Sequence, residues 1–344
     1  MDAAPPHVRP LLALLVTILA TACSQPGATG VPTPGTPTPT APPPSSAAET
    51  FPMTLTDYTD TQVVIPAVPK SIVSLTPAAT ETLFAIGAGD RVVGKVEDIA
   101  GYPPEAAGAP IVATYNGVDL EEIVALQPDL VIAGGNAGTP DAAIARMRTL
   151  GLPVLVVYAA DVDGVFGDIE LIGTAVGKLD RARDLTSSMR AGFDQVAAAT
   201  RDLDRPRVFY ETGDQPSIFG VADRSFVAAM LELAGGDPIT TGSSTAWDMS
   251  SEKLIASDPE VILLGDAAYG VTADAVAKRP GWAQLSAVKA GAIRPIDDII
   301  VTRPGPRLLD GLRALVAAIH PDIERPGASP GASTVPASPA SSGG

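Results

Sequence analysis

Short continuous apolar runs alternate with stretches whose apolar residues fall on one helical face. In the first half, "SIVSL" (71–75), "DLVIAG" (129–134) and "VLVVY" (154–158) have strand length, with helical patterns at 77–86, 119–126 and 139–150 among them. That alternation predicts a mainly parallel sheet covered on both faces. Thr76 suits an N-cap, Pro77 the first helical position and Gly87-Ala88-Gly89 a stop, so the first helix is punctuated at both ends. The glycines of "GAGDRVVG" (87–94) end a helix instead of following a strand, which makes them a helix stop and not a phosphate loop. Ahead of these elements, "MTLTDYTDTQVVIP" reads as an edge hairpin.

The second half repeats the plan, with "VFYET" (208–212), "SIFGV" (217–221), "VILLG" (261–265) and "IRPID" (293–297) as strand candidates. Between the halves, "RARDLTSSMRAGFDQVAAATRDL" (181–203) carries Leu185, Met189, Phe193 and Val196 on one stripe and no proline. The expected architecture is α/β: two lobes with mainly parallel sheets, 51–180 and 204–324, joined by one long interlobe helix at 181–203. Such a helix is a stiff connection.

One unit occurs twice. "LEEIVALQPDLVIAGG" (120–135) returns as "SEKLIASDPEVILLGD" (251–266), matching Glu121 with Glu252, Ile123 with Leu254, Pro128 with Pro259 and Asp129 with Glu260. Packing explains the apolar matches, because any helix on any sheet needs them. It does not explain surface glutamates. Tyr115 and Trp247 stand just upstream of the two copies, so facing lobes would each offer an aromatic ring to the cleft between strand ends. Taken singly, either ring would more often be a core or lobe-packing aromatic than a ligand contact; the shared position in a repeated unit is what favours the cleft.

The two ends have a different character. Residues 1–23 place His7 and Arg9 before an apolar run, Leu11 to Leu19, too short to span a bilayer, which reads as a signal peptide. Its end at Cys23, the one cysteine, is lipobox-like, although Ala20 stands where leucine is usual; an ordinary secretory signal ending in Ala-x-Ala is the other reading. Residues 24–50 form a Pro/Thr/Ser-rich tether by composition, and 325–344 a disordered tail. The formal charge of −16, without a lysine or arginine cluster, disfavours nucleic acid as a partner.

A catalytic reading finds little support. The only histidines are His7, in the leader, and His320, at the end of the last helix, which argues against a Ser-His-Asp site and against a multi-histidine metal site, and neither G-x-S-x-G nor a Walker sequence occurs. Adjacent acids such as Glu121-Glu122 and Asp297-Asp298 are ordinary on a solvated face. The expectation is a protein that is not an enzyme and needs no cofactor or resident metal.

"KSIVSLTPAATETLFAIGAGDRVVGKVEDIAGYPPEA", then "VDLEEIVALQPDLVIAGG" and the terminal "RPGPRLLDGLRALVAAIHPD", closely resemble the ABC-transporter periplasmic solute-binding proteins of iron-siderophore, haem and cobalamin uptake, and among them the cobalamin branch. The resemblance covers about 51–323. It implies a class III periplasmic-binding-protein fold with a helical backbone, and a monomer that captures a small-molecule chelate and passes it to an ABC permease with its ATPase subunits. It implies ligand contact for Tyr115, Trp247, Gly134, Gly135, Asn136, Asp298 and Arg303, and permease docking for Glu121 and Glu252. Tyr115 departs from the tryptophan of the cobalamin branch; in haem-binding members a tyrosine of this region ligates iron, so haem or a ferric siderophore stands as the alternative ligand. With a lipid on Cys23 the protein would be extracytoplasmic and anchored to the cell membrane. A tethered α/β enzyme or sensor domain is the reading from another class.

Overall fold

The computed structural model describes residues 49–323 except Ala137. Residues 1–48 and 324–344, which hold the leader, Cys23, most of the tether and the tail expected from composition, lie outside the described residues. The folded part starts slightly earlier than composition suggested: the Glu49 carboxylate accepts the Leu179 backbone N–H at 2.7 Å, at the start of the long helix.

β1 (Met53–Thr56) and β2 (Gln62–Ile65) form the expected antiparallel hairpin. There follow β3 (Ile72–Ser74), α1 (Pro77–Ala85), β4 (Val92–Val96), β5 (Ile111–Thr114), β6 (Gly117–Val118), α2 (Leu120–Ala125), β7 (Leu130–Gly134), α3 (Asp141–Thr149), β8 (Val154–Val157) and α4 (Val162–Ala175). Their strands make one six-stranded sheet in the order β6-β5-β4-β3-β7-β8, parallel except for the β5–β6 turn. α5 (Leu179–Thr200) then leads to β9 (Arg207–Glu211), α6 (Phe226–Leu233), β10 (Asp237–Pro238), α7 (Ser251–Ser257), β11 (Val261–Leu264), α8 (Ala273–Ala277), α9 (Ser286–Lys289), β12 (Ile293–Pro295), α10 (Asp298–Thr302) and α11 (Leu308–Ile319). The second sheet, β10-β9-β11-β12, is wholly parallel.

Alternation along the strands sorts side chains into layers. In β7, Leu130 and Ile132 face one core while Val131 and Ala133 face another. The first of these cores is continuous through Met189, Phe193 and Val196 of α5 into Val208, Tyr210, Val261 and Leu263 of the second lobe. The predicted stripe therefore joins the lobes. Phe193 meets Phe166 of α4 edge to face at 5.7 Å, and Gly192 lets α5 approach Leu309 of α11 so closely that any Cβ would collide with that leucine. At 22 residues α5 is about 33 Å long, and each large apolar side chain buried along it contributes about 1.5–3 kcal/mol.

Two expectations need correction. "SIFGV" (217–221) is not a strand: Phe219 makes single bridges to Gly213 and Asp248, and Val221 one to Thr240. A Cβ at Gly220 would collide with the Phe209 ring, and the segment folds back beside the end of β9 instead of extending a ladder. β4 also lies within the run read only as a helix stop; Gly87 does end α1 at φ +75°, but a 3-10 turn at Gly89–Arg91 then starts a strand at once.

Candidate functional site

The repeated unit recurs down to its backbone. α2 is capped by the Asp119 carboxylate, which accepts the Glu122 N–H, and α7 by the Ser250 hydroxyl, which accepts the Lys253 N–H. Gln127 and Asp258, each just before the shared proline, both adopt the left-handed region, at φ +47° and +44°. Asp129 and Glu260 recur for a structural reason: Asp129 accepts the Lys70 and Ser71 backbone N–H groups that lead into β3, and Glu260 accepts that of Arg207 opening β9. Glu121 and Glu252 have no such bond among the described residues; both are exposed in the first turn of their helices.

Because β3, β5, β7 and β8 run parallel, their carboxyl ends share one edge of the first sheet. Tyr115 sits there, in the turn between β5 and β6, with 95% of its surface exposed. Trp247 occupies the corresponding edge of the second lobe: the chain after β9 bonds Phe219, which bridges Asp248, while the Trp247 carbonyl accepts the Gly220 N–H. The indole is 44% exposed.

At the first lobe's edge is a pocket of about 260 Å³, floored by the start of α1 and the Gly134–Gly138 loop, walled by α4 and closed by Arg303 and Pro304 from the second half. Gly134 leaves room for Thr76, and Gly135 for Tyr58 and Tyr158, where a Cβ would collide. Asn136 holds a left-handed φ of +47°, which its short polar side chain tolerates, and donates from Nδ2 to the Tyr158 hydroxyl at 2.9 Å. The pocket thus brings together Gly134, Gly135, Asn136 and Arg303 of the expected residues. Tyr115, Trp247 and Asp298 do not line it.

Arg303 is heavily engaged. It donates to Glu81 at 2.6 Å and to both oxygens of Asp98 at 3.0 and 2.7 Å, while Arg307 forks onto Glu81 at 3.1 and 2.7 Å and covers the Tyr102 ring. Burial opposes ionisation of Asp98, yet the Arg303 hydrogen bonds hold its carboxyl below the usual carboxylate range. These four side chains tie the segment between α10 and α11 to α1 and to the loop after β4.

Asp298 turns into the second lobe, where its Oδ1 accepts the Tyr210 hydroxyl at 2.7 Å; burial raises its carboxyl above the ordinary value. Nearby, Glu211 takes two hydrogen bonds from Arg279 at 2.6 and 2.8 Å, and Asp214 a third at 3.1 Å. Neither carboxyl oxygen of Asp266 finds a hydrogen-bond donor among the described residues, and burial, reinforced by the adjacent Glu211 carboxylate, pushes it up to about 7. Tyr210 and Trp282 are wholly buried, whereas Tyr269 is exposed.

Sequence reading missed Tyr158 and Asp168 as pocket residues. A signal for Asp168 existed: Val165, Ile169 and Ile172 form the buried stripe of α4, and an acid three residues after Val165 interrupts that stripe.

Two α/β layers meeting at strand ends, bridged by one helix, define a two-lobed binding protein. The chain belongs to the periplasmic binding protein family, whose pattern matches residues 72–299; its members serve as the substrate-binding component of ABC importers. A substrate-binding lipoprotein of an ABC transporter from Bacillus subtilis is 34% identical over 280 residues, covering 80% of this chain and 87% of its own. The crystal structure of the periplasmic vitamin B12-binding protein of Vibrio cholerae is 27% identical, with a TM-score of 0.65, over 74% of this chain and 98% of its own. A periplasmic haem-binding protein from Roseiflexus, in apo form, is also 27% identical, with a TM-score of 0.65, over 73% and 98%. Among the described residues, no helix is long and apolar enough to cross a membrane.

Proposed function

We propose that the protein captures a cobalamin-like corrinoid between its lobes and delivers it to the permease of an ABC importer. The observation that carries this reading is the pair of exposed rings, Tyr115 and Trp247, each on a strand-end edge and each just ahead of a copy of the same unit. Two such rings offer apolar contact to both sides of a wide, flat ligand. Gly134, Gly135 and Asn136 shape the first-lobe side, Arg303 stands at the pocket rim, and Asp298 braces the second-lobe wall through Tyr210. The vitamin B12-binding relative supports a corrin ring. The haem-binding relative and the exposed Tyr115 phenol support a second reading, in which the same cleft takes haem or a ferric siderophore and Tyr115 ligates iron.

Purified protein mixed in turn with cyanocobalamin, haemin and a ferric siderophore, then freed of unbound ligand by gel filtration, should retain the corrin absorption bands. Retention of haemin or the siderophore alone would move the reading to the alternative, and retention of none would overturn it.

Delivery falls to Glu121 and Glu252, which occupy equivalent exposed positions on the two lobes and suit a permease with two matching basic sites. The variant Glu121→Arg/Glu252→Arg should bind ligand normally but fail in cellular uptake; normal uptake would remove the docking role, leaving only a favourable charge at each helix start. The protein acts as a monomer on the outer face of the cell membrane or in the periplasm, held by a lipid on Cys23. Cys23→Ser should then release it from the membrane fraction, and its retention there would argue against the anchor.

A further inference from the structure

The first-lobe pocket contains one carboxyl group with no side-chain partner among the described residues. Asp168 lies on its α4 wall and makes no ion pair with a side chain among the described residues; the one group that lowers its pKa is the backbone N–H of Tyr158. At about 260 Å³ the space is below the roughly 300–1,000 Å³ of pockets that enclose a whole ligand, so it suits a side arm and not a macrocycle. The neighbouring cation cannot serve an anionic arm, because Arg303 is already shared between Glu81 and Asp98. The remaining surface is largely apolar, with Thr76, Thr82, Asn136 and Tyr158 as the other polar residues of the lining.

From this geometry we infer that Asp168 is a specificity-determining residue: the pocket admits an uncharged primary-amide arm of the ligand, which the Asp168 carboxyl hydrogen-bonds, and excludes carboxylate arms. The inference rests on the cleft reading proposed above and adds the chemical class of the arm. An amide suits either form of the acid, since its N–H can donate to the carboxylate and its carbonyl can accept from the protonated group. A carboxylate arm beside an ionised Asp168 would be a like-charge contact in a half-enclosed space.

Burial pushes Asp168 up to about 7, against a smaller lowering by the Tyr158 backbone N–H. The charged and titratable groups that share its pocket are Tyr158 and Arg303, the latter bonded to Glu81 and Asp98, while Asp163 and Glu170 of the same helix are directed to α5. These last two bond Arg190 and Thr186. Exclusion should therefore weaken as pH falls below about 7 and Asp168 takes up a proton.

The test is a titration of wild type and Asp168→Asn, followed by visible absorption, with cyanocobalamin and with its acid-hydrolysed carboxylate derivatives, at pH 8 and pH 6. Wild type should prefer the amide form at least about tenfold at pH 8, a gap that narrows at pH 6. Asp168→Asn should lose most of the gap at both pH values while still binding cyanocobalamin. A gap that survives unchanged in Asp168→Asn, or one independent of pH in wild type, would overturn the inference. If only haemin binds, with its carboxylate arms, the corrinoid reading and the inference both fail; if cyanocobalamin binds but its carboxylate derivatives bind equally well to wild type at pH 8, the inference alone fails. Binding of none of these probes overturns both.

Discussion

The two lobes present the same kind of strand-end edge and fill it in opposite ways. In the first lobe, glycines at 134 and 135 keep side chains out, and the acids Glu81 and Asp98 are neutralised by arginines arriving from the second half. A pocket remains. In the second lobe, Glu211 and Asp214 pair with Arg279, whose guanidinium lies 4.8 Å from the Trp282 ring centroid, Asp298 takes the Tyr210 hydroxyl, and Asp266 is buried near Glu211 without a donor among the described residues. There, apart from Asp266, the polar groups satisfy one another and form a wall. A shared helix-turn-strand unit thus gives matching frames, while the residues at the strand ends decide which frame opens and which closes.

The largest effect expected from breaking this contrast is at Glu81, which is fully buried and held by both arginines. Glu81→Gln leaves Arg303 and Arg307 short of a counter-charge, and removal of one partner from a buried ion pair costs about 3–5 kcal/mol. Urea unfolding should show the midpoint fall with an unchanged slope; a midpoint within error of wild type would mean that the network does not hold the halves together.

Asp266 gives the second-lobe counterpart with the opposite sign. Its folded value, about 7, lies above the ordinary 3.8, so the folded state keeps a proton that the unfolded chain releases. Stability is therefore lost as pH rises through the interval between those values. Relative to wild type, Asp266→Asn should gain about 1–3 kcal/mol between pH 5 and pH 8, measured by denaturant unfolding at each pH. A pH-independent difference would show that the acid is solvated and the wall less closed than its burial implies.

The smallest effects concern the rings. Trp247→Ala and Tyr115→Ala should each weaken corrinoid binding by about tenfold or more without changing the unfolding midpoint. Titration of both sharpens the comparison: a loss confined to Trp247→Ala would place the ligand chiefly on the second-lobe wall, and unchanged affinity in both would remove the two-sided grip.

Much of the frame was legible along the chain. Buried parallel strands need unbroken apolar runs, so β3, β7, β8, β9 and β11 announced themselves; Thr76, Pro77 and Gly87 marked α1 because caps and stops use local chemistry. The α5 stripe was visible for the same reason, since one helical face had to bury against both lobes. The failures follow from the same physics. "SIFGV" has strand composition, but Gly220 and the approach of Phe209 turn it into isolated bridges, and β4 was hidden inside a glycine-rich run. Local periodicity carries no information about which distant segment comes alongside.

The sequence by itself therefore determined the two α/β halves, the helix between them and the repeated unit with its paired glutamates and rings, because each depends on residues close together in the chain. Only the tertiary structure decided the chemistry of the edges. It set Arg303 and Arg307, more than 200 residues away along the chain, against Glu81 and Asp98, turned Asp298 toward Tyr210 and left Asp168 facing an open pocket. Charge partners are chosen by where helices and strand ends meet in space, and an acid's neighbours in sequence do not reveal whether a cation will reach it.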